Sequence, residues 1–357
     1  MKIAGLSFIY QSSPSRVVFG AGSLARVPEE IDRLGGKRAL IVTTAGRRKL
    51  AEELAARLAS KAAGIFDRAV MHVPVETAEA GRAEAARLDA DSYVAVGGGS
   101  ATGLAKAIAL ITGRPILAVP TTYSGSEMTP IWGLTEGGIK KNARDARALP
   151  KTVVYDPALT TSLPPALSAT SGMNAIAHCV EALYAQDANP VISLVAEEGI
   201  RAMAKGLAGV LQHPDDQEAR ALALYAAWLG GVCLGATTTA LHHKLCHVLG
   251  GAFDLPHSET HTVLLPHATA YSAGAAPEAM DRIAQALGSK SAAQGLYDLE
   301  ASLGTPLSLK AIGMKRDGLD HAVELATGNP FYNPRPISRE GVRALLEDAF
   351  EGRPPRS

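Results

Sequence analysis

Residues 93–100 read YVAVGGGS and lead directly into the alanine-rich stretch 101–112. The first four residues are typical of a buried strand, and the three glycines and the serine are followed by helical sequence. Glycine lets the backbone approach a phosphate closely, and the amides at a helix N-terminus attract anions. A tight strand-to-helix turn without a ligand would use the same residues. We interpret the loop as a phosphate-binding loop, formed by Gly97, Gly98, Gly99 and Ser100.

The sequence on both sides of this loop alternates in the same way. Short β-branched runs predict strands, and apolar residues at helical spacing predict helices at 49–61 and 77–88; the strands are expected at 17–19, 38–42, 93–96, 116–119 and 152–155. This alternation is typical of a parallel sheet covered by helices. After residue 157 the predictions are all helical, at 166–185, 191–209, 217–238, 241–249, 277–287, 292–303 and 338–350. We therefore predict an α/β dinucleotide-binding domain at 1–157 and an all-helical domain at 158–357.

The composition is that of an ordinary globular protein. The chain has 357 residues, 47% of them hydrophobic, and Lys+Arg and Asp+Glu both number 35, so no net charge attracts nucleic acid or an anionic membrane. Apolar runs such as 105–111 are shorter than the roughly 20 residues of a membrane span. Residues 1–16 lack a secretory signal. We expect a cytoplasmic protein without membrane or nucleic-acid partners, whose three cysteines, Cys179, Cys233 and Cys246, are reduced and buried.

A second polar loop, PTTYSGSE at 120–127, follows the next predicted strand. The carboxyl ends of parallel strands lie at one edge of a sheet, so this loop should lie beside the glycines and complete a dinucleotide site. The expected contacts come from Thr121, Thr122 and Ser126, although a plain surface loop has the same composition. Thr43 and Thr44 end the strand at 38–42, where an acidic residue often binds the ribose. Without that carboxylate, NADPH is as acceptable as NADH.

Polar residues in the helical half recur at four-residue spacing. Asn174 precedes His178 by four residues, His243 precedes His247 by four, and His257 follows a loop. Residues four apart share a helix face, so both pairs can point into one cavity. Isolated helical histidines are usually structural, and spacing alone does not separate the two interpretations.

Four ordered motifs resemble the iron-containing alcohol dehydrogenase superfamily. They are GGGS at 97–100 with Lys106, PTT and GSE within 120–127, SGMNAIAH at 171–178, and the histidine-rich run at 243–267. The resemblance spans nearly the whole chain. It implies a dehydroquinate synthase-like architecture, with NAD(P) bound by the first half and a divalent metal by the second.

Carried onto this sequence, the superfamily's metal positions are Asn174, His178, His243 and His257. The superfamily has an aspartate where Asn174 stands, and a further acidic residue where Gly103 stands. A neutral amide gives up the charge attraction that a carboxylate offers a cation. The resemblance therefore implies that iron or zinc would be held weakly.

The segments TTYSGSEMTP, SGMNAIAH and HKLCHVLGG are similar to those of maleylacetate reductases. That resemblance implies a homodimer that uses NADH or NADPH to reduce the carbon–carbon double bond of maleylacetate, giving 3-oxoadipate in aromatic compound degradation. His243 and His257 would stabilise the enolate oxygen or deliver a proton, beside His178 and His247. Lys244 and Tyr123 are candidates for binding the unsaturated keto-dicarboxylate.

Three other functions agree with parts of the sequence. A metal-dependent alcohol or lactaldehyde dehydrogenase would have to accept Asn174 as a ligand. A non-catalytic NAD(P)-binding protein has no need of a histidine cluster. A sugar-phosphate cyclase requires an intact metal site and phosphate-binding basic residues, which the motifs lack. Metal analysis with chelation separates the first alternative from a metal-independent reductase.

Overall fold

The computed structural model describes residues 8–13, 15–137 and 139–356. The chain divides into two compact units, one made of residues 13–163 and 215–224, the other mainly of 164–214 and 225–357. The sequence alone predicts a single boundary after residue 157, whereas this division assigns 158–163 and 215–224 to the α/β unit. The argument about a secretory signal concerns in part residues 1–7, which lie outside the described residues.

The α/β unit contains both sheets of the described chain. Its strands are β1 (Arg16–Phe19), β2 (Ala39–Val42), β3 (Ala62–Phe66), β4 (Ser92–Gly97), β5 (Ile116–Pro120), β6 (Ile131–Glu136), β7 (Ile139–Arg144) and β8 (Thr152–Tyr155). Its helices are α1 (Val27–Arg33), α2 (Arg48–Leu58), α3 (Val75–Arg87) and α4 (Gly99–Thr112). The predicted parallel α/β fold is confirmed.

Six strands form one parallel sheet in the order β1-β8-β5-β4-β2-β3. The chain runs from β2 outward to β3 and then returns to the other side of β2 with β4, so the strand order reverses between β2 and β4. Ligands of open α/β sheets bind at such a reversal, beyond the carboxyl ends of the strands. The loops that carry Thr43 and Gly97 begin at this edge.

Alternate residues of the central strands face two separate apolar cores. Leu40 and Val42 lie in one core with α3 and α4, and Ile41 lies in the other with α1 and α2. A strand covered on both faces needs apolar residues throughout, which explains the continuous run ALIV in β2. The two cores keep the sheet edge rigid beneath the loops.

Two features of this unit were not predicted. Strand β3 has the sequence AAGIF, which is poor in β-branched residues and directly follows the predicted helix 49–61. Strands β6 and β7 pair antiparallel in a sheet of their own; β6, with the sequence IWGLTE, is only partly buried, and β7, with the sequence IKKNAR, is mostly charged and polar. Both lie outside the buried apolar pattern on which the predictions rest.

All regular secondary structure among the described residues of the second unit is helical. Its helices are α5 (Pro165–Leu183), α6 (Pro190–Gln212), the later part of α7 (Gln217–Ala236), α8 (Leu241–Phe253), α9 (His257–Ser272), α10 (Pro277–Leu287), α11 (Ala292–Ser302), α12 (Leu319–Thr327) and α13 (Arg339–Glu351). The predicted helical half is confirmed. Helices α9 and α12 were missed, and α9 carries an internal proline, Pro266, which normally argues against a helix.

Helix α7 is long and apolar enough, by length and composition, to cross a membrane. Its most apolar window has a mean hydropathy of 1.4, and 56% of that window is buried inside the protein. The sequence argument overlooked it by considering only uninterrupted apolar runs. A buried core helix has the same composition, and α7 also carries the fully buried Arg220.

Candidate functional site

The glycine loop ends β4 and begins α4, as its sequence predicts. Gly97 has φ +144°, a conformation that side chains rarely adopt, and a Cβ on Gly98 would meet Oγ1 of Thr122 at 2.8 Å. Gly98 is the N-cap of α4 and no side chain caps the helix. The first amides of α4 are thus left without a side-chain acceptor, which suits a phosphate group.

The second polar loop lies directly against the first. Thr122 lies so close to Gly98 that a Cβ on Gly98 would meet it. The Thr121 amide also donates to the Gly97 carbonyl at 3.0 Å. Oγ1 of Thr121 is buried and has no hydrogen-bond partner in the structure. The structure thus brings Gly97, Gly98, Thr121 and Thr122 together, with the more exposed Gly99 and the half-buried Ser100 at the start of α4.

Lys106 anchors the second loop to α4. Its fully buried ammonium donates to the carbonyls of Ser126, Thr129 and Ile131 at 2.7, 2.8 and 2.8 Å, and it also contacts the hydroxyls of Ser126 and Thr129. Burial lowers the pKa of Lys106 to about 7, against the attraction of Glu127. Ser126, predicted to bind the cofactor, is held in place by this contact.

Glu127 forms the second anchor of that loop. Its two carboxylate oxygens accept hydrogen bonds from the Tyr155 hydroxyl and from the Ser124 hydroxyl, both at 2.9 Å. Burial raises the pKa of Glu127, and burial together with this carboxylate raises the pKa of Tyr155 well above its usual value. The loop is therefore tied to β8 as well as to α4.

The polar groups after β2 are less available than the sequence indicates. The Thr43 hydroxyl is buried and donates to the Val96 carbonyl at 2.8 Å, while Thr44 is half-buried. Arg48 contacts Asp67 at 2.7 Å, so a carboxylate does lie near this edge, at the end of β3. The sequence argument for NADPH did not consider Asp67, because β3 was not predicted.

Tyr123 is fully buried within the α/β unit. The guanidinium of Arg220 lies 3.4 Å from its hydroxyl and donates to the Leu163 carbonyl at 3.0 Å. Arg220 belongs to the 215–224 segment, which the sequence prediction placed in the other domain. A buried arginine beside Tyr123 was therefore not foreseen.

The helical unit gathers five histidine rings into one group, which we call the imidazole cluster: His178, His242, His243, His257 and His261. The rings of His178 and His243 stack with centroids 5.2 Å apart, and the rings of His257 and His261 are 4.4 Å apart. His178 comes from α5, the next two from α8 and the last two from α9. The residues that were predicted to converge come from three helices: Asn174 and His178 from α5, His243 from α8 and His257 from α9.

Glu181 fixes the orientation of His243. Its Oε2 lies 2.7 Å from His243 Nδ1 and accepts from the Ala240 amide, and its Oε1 accepts from the His242 amide at 2.8 Å. The carboxylate thereby caps the start of α8 and calls for the proton of His243 on Nδ1. His243 Nε2 is then the atom left for chemistry, and it is buried without a hydrogen-bond partner.

His242 and His261 form a hydrogen-bonded pair behind His243. His242 Nε2 and His261 Nδ1 are 3.0 Å apart, and the Cys246 sulfur lies 3.6 Å from the same His242 nitrogen. Burial lowers the pKa of His178, His242 and His261 well below 6.5 and raises the pKa of the Cys246 thiol. These three rings are therefore neutral at physiological pH, and the thiol is protonated.

The three histidines at the superfamily's metal positions do not form a close ligand set with one another or with a Cys, Asp or Glu in the described residues. Among these, the group whose ligand atoms all lie within 4.8 Å is His242, Cys246 and His261, at hydrogen-bond distances from one another. Asn174 Oδ1 and His178 Nδ1 are buried without partners, but both are neutral, and Glu181 is already occupied by three donors. The residues present do not fit a tightly held divalent cation.

The remaining predicted residues lie at the edge of the cluster. His247 is exposed, with its ring 6.3 Å from that of His243, and His257 is half-buried. The Lys244 ammonium lies over the Phe331 ring at 5.9 Å from its centroid. No contact in the helical unit ties Lys244 directly to the imidazole cluster in the described structure, whereas His257 borders it.

Sequence reasoning missed three residues of the helical unit that the structure places at its centre. His261 follows His257 by four residues, and Glu181 follows His178 by three, so the helical spacing that selected Asn174 and His243 would have found both. His242 was passed over because it precedes His243 on a different helix face. It reaches the cluster from that face through His261.

Comparisons with known proteins agree with this architecture. Residues 14–157 match the iron-containing alcohol dehydrogenase family, and residues 168–350 match the C-terminal region of the Fe-containing alcohol dehydrogenase family. The chain is 55% identical to maleylacetate reductase of Burkholderia cepacia, over 97% of this chain and 98% of that one. It is also 55% identical to maleylacetate reductase of Sphingobium indicum, over 98% and 99%.

A solved structure gives the same result. The crystal structure of maleylacetate reductase from Agrobacterium tumefaciens superposes with a TM-score of 0.95 at 52% identity, covering 98% of this chain and 100% of that one. Both halves of the chain, their order and their fold are thus shared with these proteins. The chain belongs to the iron-containing alcohol dehydrogenase family.

Proposed function

We propose that this chain is a maleylacetate reductase, which reduces the carbon–carbon double bond of maleylacetate to give 3-oxoadipate with NADH or NADPH. The observation that carries the proposal is Asn174, a neutral amide among the intact histidines His178, His243 and His257. An alcohol dehydrogenase of the superfamily needs an anionic ligand at that position to hold its metal. The identity with maleylacetate reductases over nearly the whole chain supports the same activity.

The α/β unit has the residues to hold a dinucleotide. The uncapped first turn of α4 and the close contact between Gly98 and Thr122 leave room for a pyrophosphate and no room for a Cβ. NAD(P)H, when bound, supplies the hydride of the reduction. Lys106 and Glu127 hold the second loop rigid, and Thr121 offers it a buried hydroxyl without a partner.

The imidazoles can stabilise the negative charge that conjugate reduction creates. Hydride added to the double bond drives negative charge onto the ketone oxygen, and the resulting enolate then takes a proton on carbon. His243 is held with Nδ1–H toward the Glu181 carboxylate, and in the doubly protonated ring the second proton sits on Nε2, from which it can pass to the developing oxyanion or to carbon. His257 is our second candidate, with His178 and His247 beside them.

The substrate carries two carboxylates and requires donors that an alcohol substrate does not. Lys244 and Tyr123 remain our candidates for these contacts, and Arg220 becomes a third because it lies beside the Tyr123 hydroxyl. We also propose that the enzyme works in the cytoplasm as a homodimer, in the degradation of aromatic compounds.

The test is a continuous assay of NADH and NADPH oxidation by the purified full-length protein. We expect turnover with maleylacetate and little with short-chain aldehydes. If simple aldehydes are reduced and the unsaturated keto-diacid is ignored, the proposed function is wrong. The same assay with both cofactors measures which of them the enzyme prefers.

A metal-dependent alcohol dehydrogenase is the second candidate. This candidate rests on the buried, unpartnered atoms Asn174 Oδ1, His178 Nδ1 and His243 Nε2, whose lone pairs can ligate a transition metal, and it requires that they do so without a carboxylate. This candidate predicts stoichiometric iron or zinc in the purified protein and alcohol oxidation that chelators abolish.

A further inference from the structure

One ring of the imidazole cluster touches all three histidines at the superfamily's metal positions. The His261 ring lies 4.4 Å from His257, 5.0 Å from His243 and 6.4 Å from His178, measured between centroids. The three interplanar angles are 65°, 77° and 79°, so His261 meets each ring edge to face. In a metal-dependent site, a shared cation is what holds three such side chains in register.

His261 is itself held from behind by His242. The 3.0 Å contact joins His242 Nε2 to His261 Nδ1, and the His242 backbone amide donates to Glu181. Glu181 also accepts from His243 Nδ1. The contacts thus run from His261 through His242 and Glu181 to His243, and they link α9, α8 and α5 without any ion.

Burial gives this arrangement little freedom. His242 is fully buried and His261 is 1% exposed, and their rings carry no net charge, because burial depresses the pKa of both. His261 Nε2 has no hydrogen-bond partner and lies in the middle of the cluster. An unpartnered buried nitrogen is costly and is retained here among three other imidazoles.

We propose that His261, oriented by His242, is the positioning residue of the imidazole cluster, fixing the rings of His178, His243 and His257 in place of a shared metal ion. Its effect on catalysis rests on the proposed function, because His243 and His257 are the groups it positions. Its effect on ring geometry does not depend on any activity.

Substitutions can test the two nitrogens of each imidazole ring separately. Asn places an amide nitrogen near the position of His Nδ1, and Gln places one near Nε2. His261→Ala removes the positioning ring, whereas His261→Asn keeps a donor toward His242. His242→Ala removes the support from behind, and His242→Gln offers His261 a replacement partner for the lost Nε2.

His267 provides the matched control. It lies on α9 with His261, is 4% exposed and has an unpartnered Nε2, and none of the described contacts joins it to the cluster. His267→Ala therefore reports what the loss of a buried imidazole does to α9 in general.

We expect His261→Ala to lower kcat for maleylacetate by about 10- to 100-fold, as the loss of an orienting partner does elsewhere, with the KM for NAD(P)H unchanged. His242→Ala should have the same signature, and His242→Gln should recover most of the rate. His267→Ala should keep the wild-type kcat. Equal kcat values for wild type, His261→Ala and His242→Ala would overturn the proposal.

A second readout needs no substrate. In protein labelled with ¹⁵N-histidine, His261→Ala should shift the imidazole signals of His178 and His243, and His267→Ala should leave them unchanged. If the imidazole signals of His178 and His243 are the same in His261→Ala as in His267→Ala, the positioning role is wrong even if the enzyme reduces maleylacetate. A metal ion found bound to His261 in the purified protein would overturn it as well. Shifted signals in an enzyme without maleylacetate reductase activity would instead refute only the proposed function.

Discussion

The second polar loop of the α/β unit and the imidazole cluster of the helical unit differ in how far their buried polar groups are hydrogen-bonded. Lys106 contacts five oxygens of Ser126, Thr129 and Ile131, and both oxygens of Glu127 accept hydrogen bonds from hydroxyl groups. In the cluster, four buried ring nitrogens have no hydrogen-bond partner, namely His178 Nδ1, His242 Nδ1, His243 Nε2 and His261 Nε2, and the same holds for Asn174 Oδ1 on α5. The first region uses its charged side chains to hold its own shape and leaves the Thr121 hydroxyl without a partner, whereas the second leaves several ring nitrogens without one.

This contrast separates binding from chemistry. Buried polar groups normally find partners, since each unsatisfied one lowers stability. A loop that is satisfied internally can hold the same ligand through every turnover. A cluster with unsatisfied nitrogens has atoms available for a reacting group, and the substitutions below test whether the two regions really differ in this way.

The largest effect should come from His243→Ala. Without this imidazole the enolate loses a donor, and we expect kcat to fall by about 10²- to 10⁴-fold, as is usual for the removal of a general acid or base. Steady-state kinetics should show an unchanged KM for NAD(P)H, because the dinucleotide loops are not altered. Normal turnover would exclude His243 from the mechanism.

Lys106→Met should act mainly on stability. It leaves the carbonyls of Ser126, Thr129 and Ile131 buried without a donor, and we expect unfolding to become easier by about 3–5 kcal/mol, measured by denaturant titration. Lys310→Met is the control, because Lys310 pairs with Glu351 at the surface and should contribute less than about 1 kcal/mol. Equal effects of the two substitutions would contradict an anchoring role.

Glu181→Gln tests the orientation of His243 at nearly constant volume. Gln removes the negative charge that faces Nδ1 and supports the doubly protonated ring of His243, and we expect kcat to drop by about 10- to 100-fold. The stability should change less than in Lys106→Met, because the amide oxygen can still accept from the His242 amide. Glu181→Asp, with a shorter reach, keeps the charge and serves as the companion variant.

The smallest effect should be the acid sensitivity contributed by His267. Burial lowers the pKa of His267 from 6.5 to about 4, so its contribution to stability is complete above pH 6.5 and is lost as the pH falls toward 4. We compare the free energy of unfolding of His267→Gln with that of the wild type. The deficit of the variant should be about 1–2 kcal/mol smaller at pH 5 than at pH 7.5. A deficit that does not change with pH would show that His267 titrates normally.

Regular, buried elements were predictable from the sequence. Strands β2, β4, β5 and β8 have continuous apolar sequences, and α10 was predicted at its observed bounds, because burial on a helix face or in a sheet leaves a periodic pattern. Helix α9 leaves none, since it is buried on nearly all sides and contains Pro266, three histidines and three threonine or serine residues before Ala268. Its surroundings, rather than its own sequence, make it helical.

The site was predictable where its residues lie within one motif. The glycine loop and the pair Asn174 and His178 could be found because each is local in sequence. The contacts between His242 and His261, and between Arg220 and Tyr123, join segments 19 and 97 positions apart. Such contacts depend on tertiary packing, which no local spacing reveals.

The central claim is that imidazoles, and no tightly held cation, support the reduction. The most direct test is the rate of NAD(P)H oxidation with maleylacetate before and after exhaustive chelation, with the metal content of the same samples measured. We predict an unchanged rate and far less than one metal ion per chain. A rate that is lost on chelation and restored by iron or zinc would contradict the account.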